Sequence, residues 1–323
     1  GICGSDVHYW KHGRCGDFIL KDPMVIGHES SGVISAVGSG VTHLRVGDRV
    51  AIEPGVPCDA CEYCTGGRYN LCPDMKFFAT PPVHGSLSNF VVHPAKWCFP
   101  LPEQVSLEEG ALCEPLSVGV HCLRRLGAQS GNSLLILGAG PIGLVTLMVA
   151  KAQGVGTICI TDICPKRLAF AKECGADITL NVTGKSAEEV AEELKGFTWG
   201  GTGSTPGPHG AVDCAGAETT IRTAVLAVRP GATVVLVGMA SVTASVGLCA
   251  ASAREVNLVG SFRYCNTYPT CIELLASGKV PAKKLITHRF GPLSMRAVEQ
   301  GFQVAHEGTG IKVMFCLDQE PSS

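Results

Sequence analysis

Ser133-Leu134-Leu135-Ile136-Leu137-Gly138-Ala139-Gly140-Pro141-Ile142-Gly143 is the stretch that decides the fold. Ser133–Leu137 is a short apolar run stopped by glycine, which predicts a buried strand, and Ile142–Gln153 predicts a helix. Between them stands a G-x-G-x-x-G. Alone that pattern is weak; after a strand and at the start of a helix it reads as a dinucleotide site. Gly138 allows the tight turn, Gly140 lets the backbone approach a pyrophosphate, and Gly143 permits close helix–strand packing. The helix N-terminus, opened by Pro141, faces the anion. Asp162 closes the next strand, Thr157–Thr161, 22 residues after Gly140, where a carboxylate accepts the ribose hydroxyls of NAD. A 2′-phosphate about 4 Å from that carboxylate would cost roughly 4 kcal/mol at an effective dielectric of ~20. Lys166 and Arg167 are near enough in sequence to offset part of this, but NAD is the expected cofactor. The alternative is a glycine-rich turn with a helix-capping Asp.

Outward from this stretch the alternation continues. Pro165–Glu173 predicts a helix with Pro in its first turn. Ile178–Asn181 predicts a strand, Ala187–Lys195 a helix, and Ala211–Ala215 and Thr233–Val237 further strands. The βαβα order predicts an α/β domain with a parallel, doubly wound sheet over 118-260. Thr198–Gly210, rich in Gly with two Pro, reads as a tolerated surface insertion. Residues 1-117 are rich in Gly, Pro, Cys and His. They carry short β-like runs, Ser31–Val37 and Asp48–Ile52, which predict an irregular β domain. From 261 onward one strong helix, Tyr268–Ser277, and one weaker, Ser294–His306, are expected.

Composition narrows the class. A chain of 323 residues supports two domains and a large core. An apolar fraction of 46% with 17% charged residues fits a folded globular chain. A net charge of −2 supplies no basic field for nucleic acid or anionic membranes. No apolar run reaches the roughly 18 residues of a membrane span; the longest, Leu144–Ala150, continues the glycine turn as a core helix. The 17 cysteines point to reduced thiols, some binding metal, and so to a cytoplasmic protein. Cys159, Cys214 and Cys249 read as small core hydrophobes. The sequence opens at Gly1, without Met and inside a motif, as expected of a fragment lacking its N-terminal segment and any targeting signal with it.

Two constellations read as metal sites. Cys58, Cys61, Cys64 and Cys72 form C-x2-C-x2-C-x7-C, with Pro57, Gly66 and Gly67 around them. Four thiolates so close together can wrap one tetrahedral Zn2+, closed to water and hence structural. Against a disulfide pair or an iron–sulfur cluster stand the reducing context and a spacing unlike common cluster runs. The second constellation is dispersed: Cys3 in Gly1-Ile2-Cys3-Gly4-Ser5-Asp6, His28 and Glu29 in Gly27-His28-Glu29, and Glu114 in Cys113-Glu114-Pro115-Leu116-Ser117. Singly, each has a bland reading as a packed thiol, a core histidine or a surface carboxylate. Beside a nicotinamide site they suggest Cys/His/carboxylate ligation with a position left for substrate. An alcohol yields hydride readily only as an alkoxide, and Zn2+ lowers the pKa of bound water from about 15.7 to about 7. A similar drop for an alcohol is worth on the order of 11 kcal/mol, beyond a lone side-chain base at neutral pH. Ser5, close to Cys3, could begin a proton relay.

Gly1–Trp10, Gly27-His28-Glu29, the four-cysteine lobe, Glu114-Pro115-Leu116-Ser117, the GAGPIG turn and Phe262-Arg263-Tyr264-Cys265-Asn266-Thr267 resemble, in order, the zinc-containing medium-chain dehydrogenases, most closely their sorbitol (polyol) branch. The resemblance spans nearly the whole chain. It implies a GroES-like β domain over 1-117 and 261-323 and a Rossmann domain over 118-260. It implies Cys3, His28 and Glu29 as catalytic-zinc ligands, with Glu114 reaching the zinc directly or through its water. It places Tyr9, Arg263 and Tyr264, with Glu114, at the substrate. It adds NAD contacts at Ile142, Asp162 and Arg167 and at the backbones of Val237, Gly238, Met239, Phe262, Arg263 and Tyr264. Alcohol dehydrogenases proper place a second Cys on the catalytic zinc, within Gly-Cys-Gly; Glu114-Pro115 stands here instead and favours the polyol branch. The implied activity is NAD-linked oxidation of a polyol such as sorbitol, xylitol or L-arabinitol to the ketose, by a homotetramer.

There are two departures from the family. The chain keeps the four-cysteine lobe that some sorbitol dehydrogenases lack, and it lacks the family's opening strands before Cys3. A missing strand exposes ladder donors and apolar surface. The family runner-up is another zinc dehydrogenase, of the L-threonine or butanediol type, and the missing strands add the alternative of an inactive truncated form retaining only the lobe. A non-catalytic NAD-binding relative would carry a broken ligand set, and this set is whole.

Overall fold

The structure is a computed structural model and describes residues 1–200, 205–239 and 243–317. The chain forms two compact units, Gly1–Ser117 with Cys265–Ser323, and Val118–Tyr264.

The second unit is built on a parallel sheet with six strands among the described residues. Across it run Ile178–Asn181, Ile158–Asp162, Leu134–Leu137, Gly210–Asp213, Thr233–Leu236 and Asn257–Gly260. Taken in chain order this is 3-2-1-4-5-6, the order of a doubly wound dinucleotide-binding sheet. The order reverses between Leu134–Leu137 and Gly210–Asp213, which pair with Leu137 opposite Asp213. Ligands of such sheets bind beyond the strand ends at that reversal. Leu134–Leu137, Ile158–Asp162 and Gly210–Asp213 are buried throughout, so they read as apolar runs rather than alternating ones. The helix after the first strand runs Pro141–Ala152, with Pro in its first turn.

Several limits move against the sequence expectation. The strand expected at Ala211–Ala215 ends at Asp213, because the Asp213 carboxylate takes the N–H groups of Ala215 and Gly216 and turns the chain. The Asn257–Gly260 strand was not expected: it is short, with Asn and Gly at its ends. Read from sequence, this domain stops at 260; in the structure it continues to Tyr264, and the Ser261 N–H still pairs with the Leu236 carbonyl at 2.9 Å. The Thr198–Gly210 insertion includes residues 201–204, outside the described residues. Trp199 is not a surface residue. It packs into the core with Leu135 and Leu194 and donates to the Leu194 carbonyl at 2.7 Å. Cys159 lies in the core, but Cys249 is exposed on the short Leu248–Ser252 helix, whose Leu248 is exposed too.

The first unit has small sheets. Ser30–Val33, Arg49–Ile52 and Cys98–Pro100 form an antiparallel three-stranded sheet, and Gly55–Val56 pairs with Lys76–Phe77. The expected run to Val37 ends at Val33, with one more backbone pairing in which the Ile34 N–H donates to the Asp48 carbonyl and the Ile34 carbonyl accepts from the Gly47 N–H, both at 2.9 Å. Leu44, Val50, Ile52, Phe78 and Cys98 fill one core. A second core joins Ile2 to Phe302 and Val313. Lys312–Phe315 pairs parallel to Ile286–Phe290 and also accepts the Ile2 N–H on Val313 at 2.9 Å.

The sequence reading places no helix in the first 117 residues; among the described residues four α-helices begin there, the short Glu62–Thr65 and Leu107–Ala111 and two longer ones. Gly4–His12 starts where the Asp6 carboxylate accepts the Cys3 N–H at 2.9 Å. It stops at Gly13, whose φ of 63° suits only a residue tolerant of the left-handed region. Cys113–Leu126 carries Pro115 in its first turn, where a missing N–H costs nothing. Among the described residues no helix is long and apolar enough to cross a membrane.

Candidate functional site

Residues far apart in sequence converge in the first unit: ligand atoms of Cys3, His28 and Glu29 lie within 4.8 Å of one another. Cys3 sits at the N-terminus of the Gly4–His12 helix. His28 and Glu29 follow Gly27, whose φ is 91° and on which a Cβ would come within 3.1 Å of Leu87. Glycine is the residue that satisfies both constraints. Asp6 clips the two segments together. One oxygen accepts the Cys3 N–H and the other the Gly27 N–H, both at 2.9 Å. The latter oxygen stands 3.6 Å from His28 Nδ1. Burial pushes the Asp6 carboxyl up, but His28 and the two N–H donors outweigh it and hold the group below its ordinary range. Burial likewise pushes the His28 ring down, yet Asp6 and Cys3 lift it well above its ordinary value.

Glu29 is balanced from the far end of the chain. Lys312 Nζ lies 2.5 and 2.7 Å from its two oxygens and donates to the Ile2 carbonyl at 3.1 Å. Burial pushes the Lys312 ammonium down, but Glu29 outweighs it and the net shift is up. A sulfur, an imidazole nitrogen and a carboxylate oxygen so close together are donor types that Zn2+ takes, and the three residues could hold one ion. Glu114 is buried but does not join the converging set; its charge is felt at Lys312.

The four cysteines also converge, each offering a sulfur within 4.8 Å of the others. Cys58 Sγ is 3.9 Å and Cys61 Sγ 3.4 Å from Cys64 Sγ. Thiolates about 2.3 Å from one tetrahedral zinc stand roughly 3.8 Å apart, so the set fits. Backbone N–H groups of Ala60 and Cys61 lower the Cys58 thiol to about 7, while burial and hydrogen bonding from Cys61 and Cys72 push Cys64 up to about 12. Neighbouring thiols resist ionising together, and a divalent cation relieves that conflict. Among the described residues no disulfide forms.

In the second unit the glycine turn divides its labour as its spacing suggests. Gly138 has φ 101°. A Cβ on Gly143 would fall 1.8 Å from the Gly138 carbonyl oxygen, so helix and strand meet there only through glycine. A Cβ on Gly140 would meet nothing within 4 Å, and that open space at a helix N-terminus suits a pyrophosphate. Asp162 accepts the N–H of Ala139 at 2.7 Å and of Cys164 at 2.8 Å, so it also braces the turn and the start of the Pro165–Glu173 helix. Ile142 and Arg167 are half-buried and Met239 is exposed. Val237 and Gly238 both donate to the Asp213 carbonyl at 3.0 Å. Arg263 has φ 50°, with its guanidinium 4.8 Å over the Phe262 ring. Tyr264 is buried.

Tyr9, buried, and Ser5, half-buried, stand one turn apart on the Gly4–His12 helix and share a face. Sequence reasoning missed Asp6, Lys312 and Phe77, whose ring lies 5.9 Å from that of His28. Asp6 stands three residues after the helix-opening Cys3, a capping spacing that could have found it. Lys312 carries no local signal beyond a lysine opening an apolar strand.

Comparison with known proteins agrees with this geometry. The family model described as Alcohol dehydrogenase GroES-like domain matches residues 1–103, and that described as Zinc-binding dehydrogenase matches residues 141–277. Sorbitol dehydrogenase of Arabidopsis thaliana is 55% identical over 320 residues, 98% of this chain and 86% of that protein. L-idonate 5-dehydrogenase of Vitis vinifera is 50% identical, over 98% of this chain and 86% of its own length. An Escherichia coli alcohol dehydrogenase solved with NADH superposes with a TM-score of 0.87 at 31% identity, covering 98% of this chain and 89% of its own. With one unit folded around two thiol-bearing metal sets and the other around a dinucleotide turn, the chain belongs to the zinc-containing medium-chain dehydrogenase family, in its sorbitol dehydrogenase branch.

Proposed function

We propose that this protein oxidises a secondary hydroxyl of a polyol, of the sorbitol, xylitol or L-arabinitol type, to the ketose, with zinc at one site and NAD as hydride acceptor. The observation that carries this reading is the convergence of Cys3, His28 and Glu29 within 4.8 Å. Zinc, when bound, supplies a Lewis acid that makes an alcohol proton easy to lose at neutral pH, and nicotinamide supplies the hydride acceptor.

The chain's residues do the rest. Cys3, His28 and Glu29 hold the metal, and Asp6 keeps Cys3 and His28 in register through the Cys3 and Gly27 N–H groups. Glu114 serves the metal directly or through water and faces the substrate. Ser5 takes the proton toward solvent. Arg263 and Tyr264 hold distal hydroxyls, and Tyr9 borders the reacting end. Gly138, Gly140, Pro141 and Gly143 shape the pyrophosphate cradle, Asp162 takes the ribose hydroxyls, and Ile142, Arg167, Val237, Gly238, Met239 and Phe262 complete the nucleotide contacts. Cys58, Cys61, Cys64 and Cys72 hold a structural zinc. The reading extends to a homotetramer in the cytoplasm, which light scattering and fractionation would check.

A second reading, a sugar acid in place of the polyol, is favoured by the similarity to an L-idonate 5-dehydrogenase. NADH formation across a panel of polyols, L-idonate, L-threonine and butanediol, with and without chelator, separates these readings. Chelator-sensitive polyol turnover is the expected result. Turnover that survives complete zinc removal would sink the mechanism.

A further inference from the structure

The four-cysteine lobe does more than close on its own ion. Gly67 and Tyr69 lie between two of its ligands and are bonded to them through the backbone: the Gly67 N–H donates to the Cys64 carbonyl at 3.1 Å, and the Cys72 N–H to the Tyr69 carbonyl at 3.0 Å. The same two residues reach Asn266. The Asn266 N–H donates to the Tyr69 hydroxyl at 2.7 Å, and its side-chain Nδ2 to the Gly67 carbonyl at 2.9 Å. The Tyr69 hydroxyl donates in turn to buried Glu53 at 2.7 Å. A phenol has one proton, so giving it to Glu53 leaves the lone pairs for the Asn266 N–H. The Tyr69 ring is fixed against Trp97, centroids 5.0 Å apart.

Asn266 ends a run that contains two residues in the left-handed region, Arg263 at φ 50° and Asn266 at 53°. Such residues persist where their surroundings over-determine them. We infer that the lobe positions Asn266, the last residue of the turn that follows Arg263 and Tyr264 in the chain, with Tyr69 as the positioning residue that carries its grip there. The kinetic consequence rests on the proposed function, which gives Arg263 and Tyr264 to the substrate; the structural consequence does not.

The test uses the full chain loaded with zinc and reads hydrogen exchange at the Asn266 amide beside steady-state kinetics. Tyr69→Phe keeps the ring and removes the hydroxyl. Exchange at Asn266 is expected to quicken by up to about tenfold, the equivalent of one lost hydrogen bond. Polyol KM is expected to rise by a similar factor while kcat and zinc content hold. Cys64→Ser, which empties the lobe, is expected to quicken the same amide. Unchanged exchange in both variants overturns the inference, as does a Tyr69→Phe protein that loses zinc and drops kcat with KM unmoved. Should Tyr69→Phe fail to fold, Asn266→Gly keeps the left-handed backbone and removes only the contact to Gly67. Faster exchange across Tyr264–Asn266 then supports the inference and unchanged exchange overturns it. If the wild type turns over no polyol, the proposed function has failed, and the exchange arm alone decides this one.

Discussion

Two thiol-bearing clusters in one unit are built in opposite ways. Cys58, Cys61, Cys64 and Cys72 come from one short segment, and local N–H groups already reach the sulfurs: Cys61 donates to Cys58 and Cys58 to Cys72, both at 3.3 Å. Cys3, His28 and Glu29 come from two segments, and neither places its ligands alone. Asp6 clips Cys3 to Gly27, and Lys312 crosses from the end of the chain to balance Glu29. An ion in a local set would stabilise the fold of its own loop. A dispersed set is held by the unit around it, and its ion is free to serve chemistry.

The largest expected effect tests that division directly. Glu29→Ala removes one donor from the dispersed set. Polyol turnover should fall at least about a thousandfold, since a metal Lewis acid contributes several kcal/mol to such a barrier. Zinc content should fall by one ion while the lobe keeps its own. Wild-type turnover, or loss of both ions, breaks the comparison.

Lys312→Met tests whether the dispersed set depends on the distant strand. Glu29 would be left as an uncompensated buried charge, which costs about 3–5 kcal/mol and is read from urea unfolding. Zinc supplies a replacement charge, so the loss should shrink when the metal is bound. A cost below about 1 kcal/mol, with or without zinc, would mean the ion pair does not hold the set.

Cys64→Ser is the mirror experiment. The lobe's ion stabilises only the folded form, so losing it costs about 3 kcal/mol when free zinc stands about a hundredfold above the dissociation constant. Turnover at low temperature should retain its kcat. A collapse of kcat with stability intact would reverse the roles of the two clusters.

The same contrast explains what was legible in the sequence. The lobe and the glycine turn are read from spacing alone, because their geometry is local. Gly138 has a left-handed φ and Gly143 has no room for a Cβ, while Gly140 faces open space. The dispersed set is only suggested by its residue types beside a nicotinamide site, and the resemblance supplies its membership, since nothing in Gly27-His28-Glu29 says that Cys3 lies beside it. Lys312 stayed invisible for the same reason: its partner is at the other end of the chain. The Gly4–His12 helix was hidden by a Gly-, Cys- and His-rich texture that resembles loop, although Asp6 and Gly13 supply its start and stop. Trp199 was hidden among glycines, which announce turns but not what a turn can bury.

Glu53 accepts from the Tyr69 hydroxyl beside the lobe and sharpens the comparison at the smallest scale. It is 2% exposed, so solvent does not screen its charge. Burial pushes its carboxyl from 4.5 up to about 7; the Tyr69 hydroxyl opposes that shift and Glu114 adds to it. The folded form therefore binds this proton more tightly than the unfolded chain. Its contribution is fully present below about pH 4.5 and is lost as pH rises through about 7. The loss amounts to about 3 kcal/mol. Glu53→Gln keeps an acceptor for Tyr69 and removes the titration. The stability difference between variant and wild type should therefore move in favour of the variant from pH 5 to pH 8, with groups common to both cancelling. Urea midpoints across that range read it. A difference that stays flat would show that Glu53 does not hold its proton in the folded protein. The carboxylate accepting from Tyr69 would then be charged at every working pH, and the lobe side of the comparison would rest on a fixed anion.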